Sequence, residues 1–270
     1  MKVRSMSVAG SFYPAQTQSI EDMIRRFNHI LEETPENVWR CDMLVTYAVI
    51  VPHAGWIYSG FTANMAFRVL AGSPVETVIV IGPSHRIRFK GISATDAEVY
   101  QTPLGDMPID RECIELLKMK FGVISYPQAH HEHSTEVQMP FIRHYFPNVN
   151  VVELVYSDID PESLEPIISY LLQFQKYAVV ISTDLSHFHP LQDANQIDVI
   201  CLNAVEQIDI DLLHEGCEAC GSIGLEAMLL AAQNIDLESV LLDYRTSADE
   251  SGDTSSVVGY MSALFQEKLW

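Results

Sequence analysis

The sequence predicts one α/β domain, with helices on both faces of a largely parallel sheet, and three observations carry that expectation. The runs Ala48–Val51, Val78–Ile81 and Val179–Ile181 are apolar without alternation, as strands buried on both faces are. Helical stretches separate them, which gives the strand–helix–strand order of right-handed parallel crossovers. Each run then breaks and delivers a histidine: His53 after Pro52, His85 after Gly82-Pro83-Ser84, and His187 after Asp184-Leu185-Ser186. In open α/β sheets the ligand crevice lies outside the carboxyl ends of the strands. The pattern therefore aims three imidazoles at one place.

Composition sets the frame for that reading. A chain of 270 residues buries a sizeable core, and it is expected to form a single domain over residues 1–270. Apolar residues make up 48% and charged residues 19%, the balance of a globular protein rather than a disordered one. No apolar run approaches the roughly 20 residues that span a bilayer. The start, Met1 to Ser7, lacks the apolar region of a secretory signal, so no membrane partner and a cytoplasmic location are expected. The formal net charge of −20 argues against nucleic acid, whose phosphates need a basic surface. We read the acidity as solubility rather than as the mark of a cationic partner. Five cysteines (Cys41, Cys113, Cys201, Cys217, Cys220), an odd number, say nothing about disulfides.

Taken in order, Ala9 to Pro14 is a turn-rich entry, and Thr17 or Ser19 is placed to cap a helix to about Leu31. Glu32 to Asp42 is polar and holds Pro35, so it reads as a loop. After the first strand, His53 to Gly60 reads as a glycine-rich turn, followed by a helix from about Thr62 to Leu70. Beyond the second strand, short strands and turns fill Gly91 to Pro108, and a helix is expected near Asp110 to Lys120. Ser134 or Thr135 is placed to cap a helix running to Tyr145, and Val149 to Tyr156 reads as a strand. Pro161 suits a first helical turn, with that helix reaching about Gln175. Helices follow the third strand at Asp193–Gln207 and Ile223–Ala232. Val240–Tyr244 and Val257–Phe265 read as strands around a polar loop, Ser247 to Ser256.

His53 and His85 are the strongest candidates for chemistry, because each sits at a strand end beside a glycine or proline that lets backbone approach an ion or substrate. For Asp184 and His187 two readings stand. Either the aspartate orients the imidazole, or His187 is a general acid/base, its pKa lying near working pH; a plain turn cap at Asp184 is the bland reading. Of His130, His131 and His133, the last immediately precedes a helix start and is the one expected to enter a site, whereas the first two read as an adventitious metal-binding loop or a solvated turn. Cys217-Glu218-Ala219-Cys220 is a C-x-x-C pair without thioredoxin-like context or the second pair a structural zinc needs. Its functional reading is Cys220 alone, at a glycine turn just before a helix, where a thiolate that binds metal is favoured.

Together these segments resemble the Memo family, whose fold is similar to that of the class III, LigB-type extradiol dioxygenases. The resemblance rests on Ala9-Gly10-Ser11-Phe12-Tyr13-Pro14, Pro52-His53-Ala54-Gly55 with Tyr58-Ser59-Gly60, and Gly82-Pro83-Ser84-His85. It continues through Glu132-His133-Ser134-Thr135-Glu136, Asp184-Leu185-Ser186-His187, Cys220-Gly221 and Asp253 to Tyr260, in the same order over nearly the whole chain. It implies a three-layer αβα sandwich, metal ligands at His53, His85 and Cys220, and His133, Asp184 and His187 lining the same pocket as catalytic groups. It implies iron first, with copper or zinc as the other candidate metals. Prokaryotic members look like protein B of a system that also includes an AMMECR-type protein and a radical-SAM protein, and these are the expected partners beside a small molecule or peptide in the cleft. The dioxygenases hold iron with two histidines and a carboxylate. Here a cysteine stands at the third position, with Glu226 or Glu136 as the carboxylates in reserve. Metal-dependent redox chemistry, a binding module built on the same cleft, and ring cleavage proper are the readings that follow, with a zinc hydrolase behind them.

Overall fold

The central strands form because their residues have nowhere polar to face. A computed structural model describes residues 1–33 and 46–268 of the chain. In it, β2 (Thr46–Val51), β3 (Thr77–Pro83) and β8 (Tyr177–Ser182) are buried at every position, and β7 (Asn150–Ser157) at all but its ends. The main sheet runs β10–β11–β2–β8–β3–β7–β4, where β4 is Gly91–Ala94, β10 is Leu237–Thr246 and β11 is Val257–Glu267. Its four central strands are parallel, and β4, β10 and β11 join antiparallel at the flanks. A second, three-stranded sheet combines β1 (Val3–Arg4), β5 (Val99–Tyr100) and β6 (Met107–Pro108).

Register is what positions the site. Val51 of β2 lies opposite Ser182 of β8, and Ile81 of β3 lies opposite Ile181. The three carboxyl ends are therefore level, and the segments carrying His53, Asp184 and His85 leave the sheet side by side.

Helices cover the sheet as layers. On one side, α1 (Thr17–Glu32) presents Ile20, Ile24, Phe27 and Leu31, a helical-period stripe, to α2 (Trp56–Leu70), which packs on β2, β10 and β11. On the other, α6 (Pro161–Leu171), α7 (Leu191–Gln207), α8 (Ile210–Leu213) and α9 (Ser222–Asn234) pack in a chain, α6 on α9, α9 on α8 and α8 on α7, and α6, α7 and α9 also reach the sheet. The helix α3 (Arg111–Phe121) is capped at both ends: Asp110 accepts the Cys113 N–H, and Gly122 ends it in the left-handed region at φ +70°. Apolar side chains from Val8 to Phe265 belong to one contiguous core.

Several local expectations are corrected. Trp56 to Gly60 is the first part of α2, not a turn; Gly55 is its last extended residue, and the Trp56 N–H bonds to the Phe12 carbonyl. The helix expected to run to Tyr145 is two pieces, α4 (His133–Glu136) and α5 (Met139–Tyr145), and the cap of the first is Glu132 rather than Ser134 or Thr135. Those two hydroxyls are instead buried and bonded to the Pro83 carbonyl and to Glu153. The α6 helix stops at Leu171, and the Ser247–Ser256 loop contains a helical turn, α10 (Ala248–Ser251). His187–His189 forms a short strand, β9, on β11. Glu32 closes α1, and beyond Glu33 the stretch expected as a loop lies outside the described residues, as does Cys41.

An ionic knot fixes α4 from below. The Arg4 guanidinium lies 2.9 Å from Glu136 and 3.6 Å from Glu153, all three buried. Glu136 also accepts from the Ser7 and Val8 N–H groups and from the Tyr13 hydroxyl. Glu153 accepts from Thr135 and Tyr100 and pairs with His130 at 2.6 Å. Burial alone would raise the Glu153 pKa, but Arg4, His130 and the Thr135 hydroxyl lower it to about 2.

Candidate metal centre

Each ligand-bearing segment is held by a carboxylate that bonds backbone N–H groups. Asp184, just beyond β8, accepts the N–H groups of His53 (2.7 Å) and Ala54 (3.2 Å) on one carboxylate oxygen. Its own N–H points at the Cys220 sulfur (3.3 Å), and its carbonyl accepts the Cys220 N–H (3.2 Å). One residue thus fastens the turn after β2 to the turn before α9. Glu132 does the same across the cleft. Its carboxylate accepts the His85 N–H at 2.7 Å and the His133 N–H at 2.8 Å. Close approach at the α9 turn depends on Gly221, whose N–H bonds to the Thr183 hydroxyl; a Cβ there would lie 2.7 Å from the Thr183 Cβ.

These anchors bring the candidate ligands together. The His53 Nε2 lies 3.2 Å from the Cys220 sulfur, and the His53 and His85 rings meet edge-on with centroids 5.1 Å apart. The ligand atoms of His53, His85 and Cys220 all lie within 4.8 Å of one another: two of the three strand-end histidines converge, and the third member is Cys220 rather than His187. His53 is buried at 2% exposure, whereas His85 opens to solvent, so the cleft has a closed and an accessible side.

His133 joins the same cleft. Its ring centroid is 4.7 Å from that of His85 and 5.4 Å from that of His53, and Phe12 packs on it at 4.6 Å. Its Nδ1 lies 2.8 Å from Glu132, which turns Nε2 toward the opposite side of the ring. His85, Glu132 and His133 are themselves a second group whose ligand atoms lie within 4.8 Å. The carboxylate of Glu132, however, already accepts four N–H groups counting Ser134 and Arg86, so it serves as the outer partner of two imidazoles.

Electrostatics follow the contacts. Burial opposes the charged form of His85, yet hydrogen bonds to Cys220 and Glu132 outweigh it and lift its pKa to about 9. Burial dominates at His133 and lowers its pKa despite Glu132. For Glu132 burial acts upward, and the bonds from His133 and His85 hold its pKa far below the usual carboxylate range.

Other candidates fall elsewhere. His187 bonds the Leu185 carbonyl through Nδ1 at 2.8 Å and belongs to neither ligand group among the described residues. His130 is not a solvated turn residue but part of the buried knot under α4. Glu136 is spent in that knot, and Glu226 pairs with His214 at 3.0 Å, so among the described residues Glu132 is the carboxylate grouped with His85 and His133. Sequence reasoning passed over Glu132 because glutamate is not a customary helix cap. The C-x-x-C is also resolved: Cys217 forms a disulfide with Cys201 of α7, leaving Cys220 a free thiol.

Two imidazole nitrogens and a thiolate make a donor set suited to iron, copper or zinc rather than to the oxygen-seeking magnesium or calcium. The residues therefore fit a metal of that class.

Comparison with known sequences gives a consistent result. A family model described as Memo-like protein matches residues 4–264. A MEMO1 family protein of Saccharolobus solfataricus is 32% identical across 97% of this chain and 99% of its own length. One from Ignicoccus hospitalis is 34% identical (98% and 99%), and one from Thermotoga maritima 31% (97% and 99%).

Proposed function

This chain belongs to the Memo-like family, and on that premise we propose that it is a metalloprotein whose His53, His85 and Cys220 centre supports redox chemistry on a substrate entering from the His85 side. The observation that carries the proposal is the convergence of two imidazoles and one thiol, from three separate loops, within 4.8 Å. Iron is the first candidate and copper the second. Bound there, such a metal supplies electron exchange and Lewis acidity. The chain's own residues do the rest. Asp184 and Glu132 keep the ligand loops in place, and Phe12 closes one wall over His133. His133, with its pKa lowered, is neutral near pH 7 and suited to accept a proton from substrate through Nε2, while His187 would exchange protons from β9.

Elemental analysis of anaerobically purified protein tests this, wild type beside Cys220→Ala and His53→Ala. About one iron or copper per chain is expected in the wild type and a loss in both variants. A wild type that neither carries nor takes up iron, copper or zinc overturns the proposal. Ring cleavage is the narrower version, and iron-loaded protein that leaves a catechol panel untouched in air would remove it.

A second reading has its own observation. On the first turn of α2, four and five residues past His53, Ile57 is 60% and Tyr58 43% exposed. Exposed apolar side chains on the helix that follows His53 suit a peptide or protein partner, the AMMECR-type and radical-SAM proteins being the first to try. Pull-down with wild type and His85→Ala decides it; a variant that keeps every partner shows that the cleft is not the binding surface.

A further inference from the structure

We infer that Ser182 is a positioning residue that fixes His53 as its Nδ1–H tautomer, so that the Nε2 lone pair faces Cys220 and the metal position. The inference rests on the metal-centre reading for its purpose, but its evidence is the hydrogen-bond count around one buried hydroxyl. Ser182 ends β8 and has no exposed surface. Three groups surround its Oγ: the His53 Nδ1 at 3.0 Å, the Gln138 side-chain amide at 3.0 Å, and the Ser134 carbonyl.

A serine hydroxyl has one proton to give and two lone pairs to fill. The Ser134 carbonyl only accepts, so the proton goes there. Gln138 is also decided by its surroundings. Its amide nitrogen lies 2.8 Å from the Pro52 carbonyl, another pure acceptor, so the same NH2 group donates to Ser182. Both donor–acceptor assignments leave the hydroxyl one lone pair, and His53 must donate to it through Nδ1. In the neutral imidazole the lone pair then lies on Nε2, 3.2 Å from the Cys220 sulfur.

The opposite arrangement has a definite cost. Were Ser182 to donate to Nδ1, the Ser134 carbonyl would lose its hydroxyl donor in a buried place, and the Nε2–H would block the metal-facing nitrogen. A buried polar group is rarely left in that state. His85 also turns its Nδ1 to a partner, the Glu132 carboxylate at 3.4 Å. The Nδ1 edges of the two histidines are thus held by unlike groups, a neutral hydroxyl at the closed side and a carboxylate at the open side.

The test begins with metal-free wild-type protein, whose histidine ring nitrogens are assigned by nitrogen-15 NMR. His53 is expected to show a protonated Nδ1 and an unprotonated Nε2; a protonated Nε2 overturns the inference without any variant being made. Ser182→Ala is expected to lose that preference and to bind Zn²⁺ about 10- to 100-fold more weakly in competition with a chromogenic chelator. Ser182→Thr, which keeps the hydroxyl, is expected to restore the tautomer. An unchanged tautomer and zinc affinity in Ser182→Ala would show that the serine does not position His53. A wild type with the expected tautomer, altered in Ser182→Ala, but with no zinc uptake would uphold the positioning role and sink the metal centre instead.

Discussion

Asp184 and Glu132 show how single side chains govern this cleft. Both are acids beside imidazoles, and both accept backbone N–H groups of the ligand segments, Asp184 on one oxygen and Glu132 on two. Their contribution is the fixed spacing of His53, His85 and Cys220, since preorganised ligands bind without reorganising. Gly221 serves the same end by having no side chain. In Gly221→Ala the new Cβ would lie 2.7 Å from the Thr183 Cβ and 3.0 Å from the Ser182 carbonyl, so the turn must move. The expected result is a loss of about 1–3 kcal/mol in stability together with a fall in metal per chain. Denaturant unfolding and elemental analysis on the same preparation check both, and wild-type values in each would show that the turn is not tightly held.

At the scale of elements, the segment between α8 and α9 is tied at two places. Cys220 and Gly221 bond to Asp184 and Thr183 just beyond β8, and Cys217 is joined to α7 through Cys201. The disulfide spans a sequence separation of 16 residues, and a cross-link closing a loop of that size stabilises by about 3 kcal/mol, chiefly by restricting the unfolded chain. Dithiothreitol is therefore expected to lower the unfolding free energy of the wild type by about that amount. The double variant Cys201→Ser, Cys217→Ser should start lower and no longer respond. Identical denaturation curves with and without reductant would mean that the two thiols are free in the purified protein.

Across the whole molecule, the buried charge knot beneath α4 makes folding sensitive to acid. Glu153 has its pKa lowered from 4.5 to about 2, so its ionisation is favoured in the folded state. A carboxylate depressed in this way contributes stability that is complete above the unfolded pKa and is lost as pH falls through the folded one. The window here runs from about pH 4.5 down to about pH 2, and the size is about 3 kcal/mol. Thermal midpoints across that range are expected to fall steeply in the wild type. Glu153→Gln should be less stable at neutral pH, because Arg4 and His130 lose a partner, and flatter in acid. Parallel acid limbs for the two proteins would assign the sensitivity to another group. Among the described residues no helix is long and apolar enough to cross a membrane.

The sequence by itself determined the parallel core and the histidines at its strand ends. Strands buried on both faces must be continuous apolar runs, and the residues that break them are written beside them at Pro52-His53 and Gly82-Pro83-Ser84-His85. Tertiary structure alone decided that Glu132, not Glu136 or Glu226, faces the cleft, that Cys217 pairs with Cys201, and that His187 stays outside both ligand groups. The physical reason is range. The Glu132 contact to His85 joins residues 47 apart in sequence, and the Cys220 contact to His53 joins residues 167 apart. Such pairs are set by sheet register and by which buried hydroxyls and amides are already occupied, and no local pattern records either.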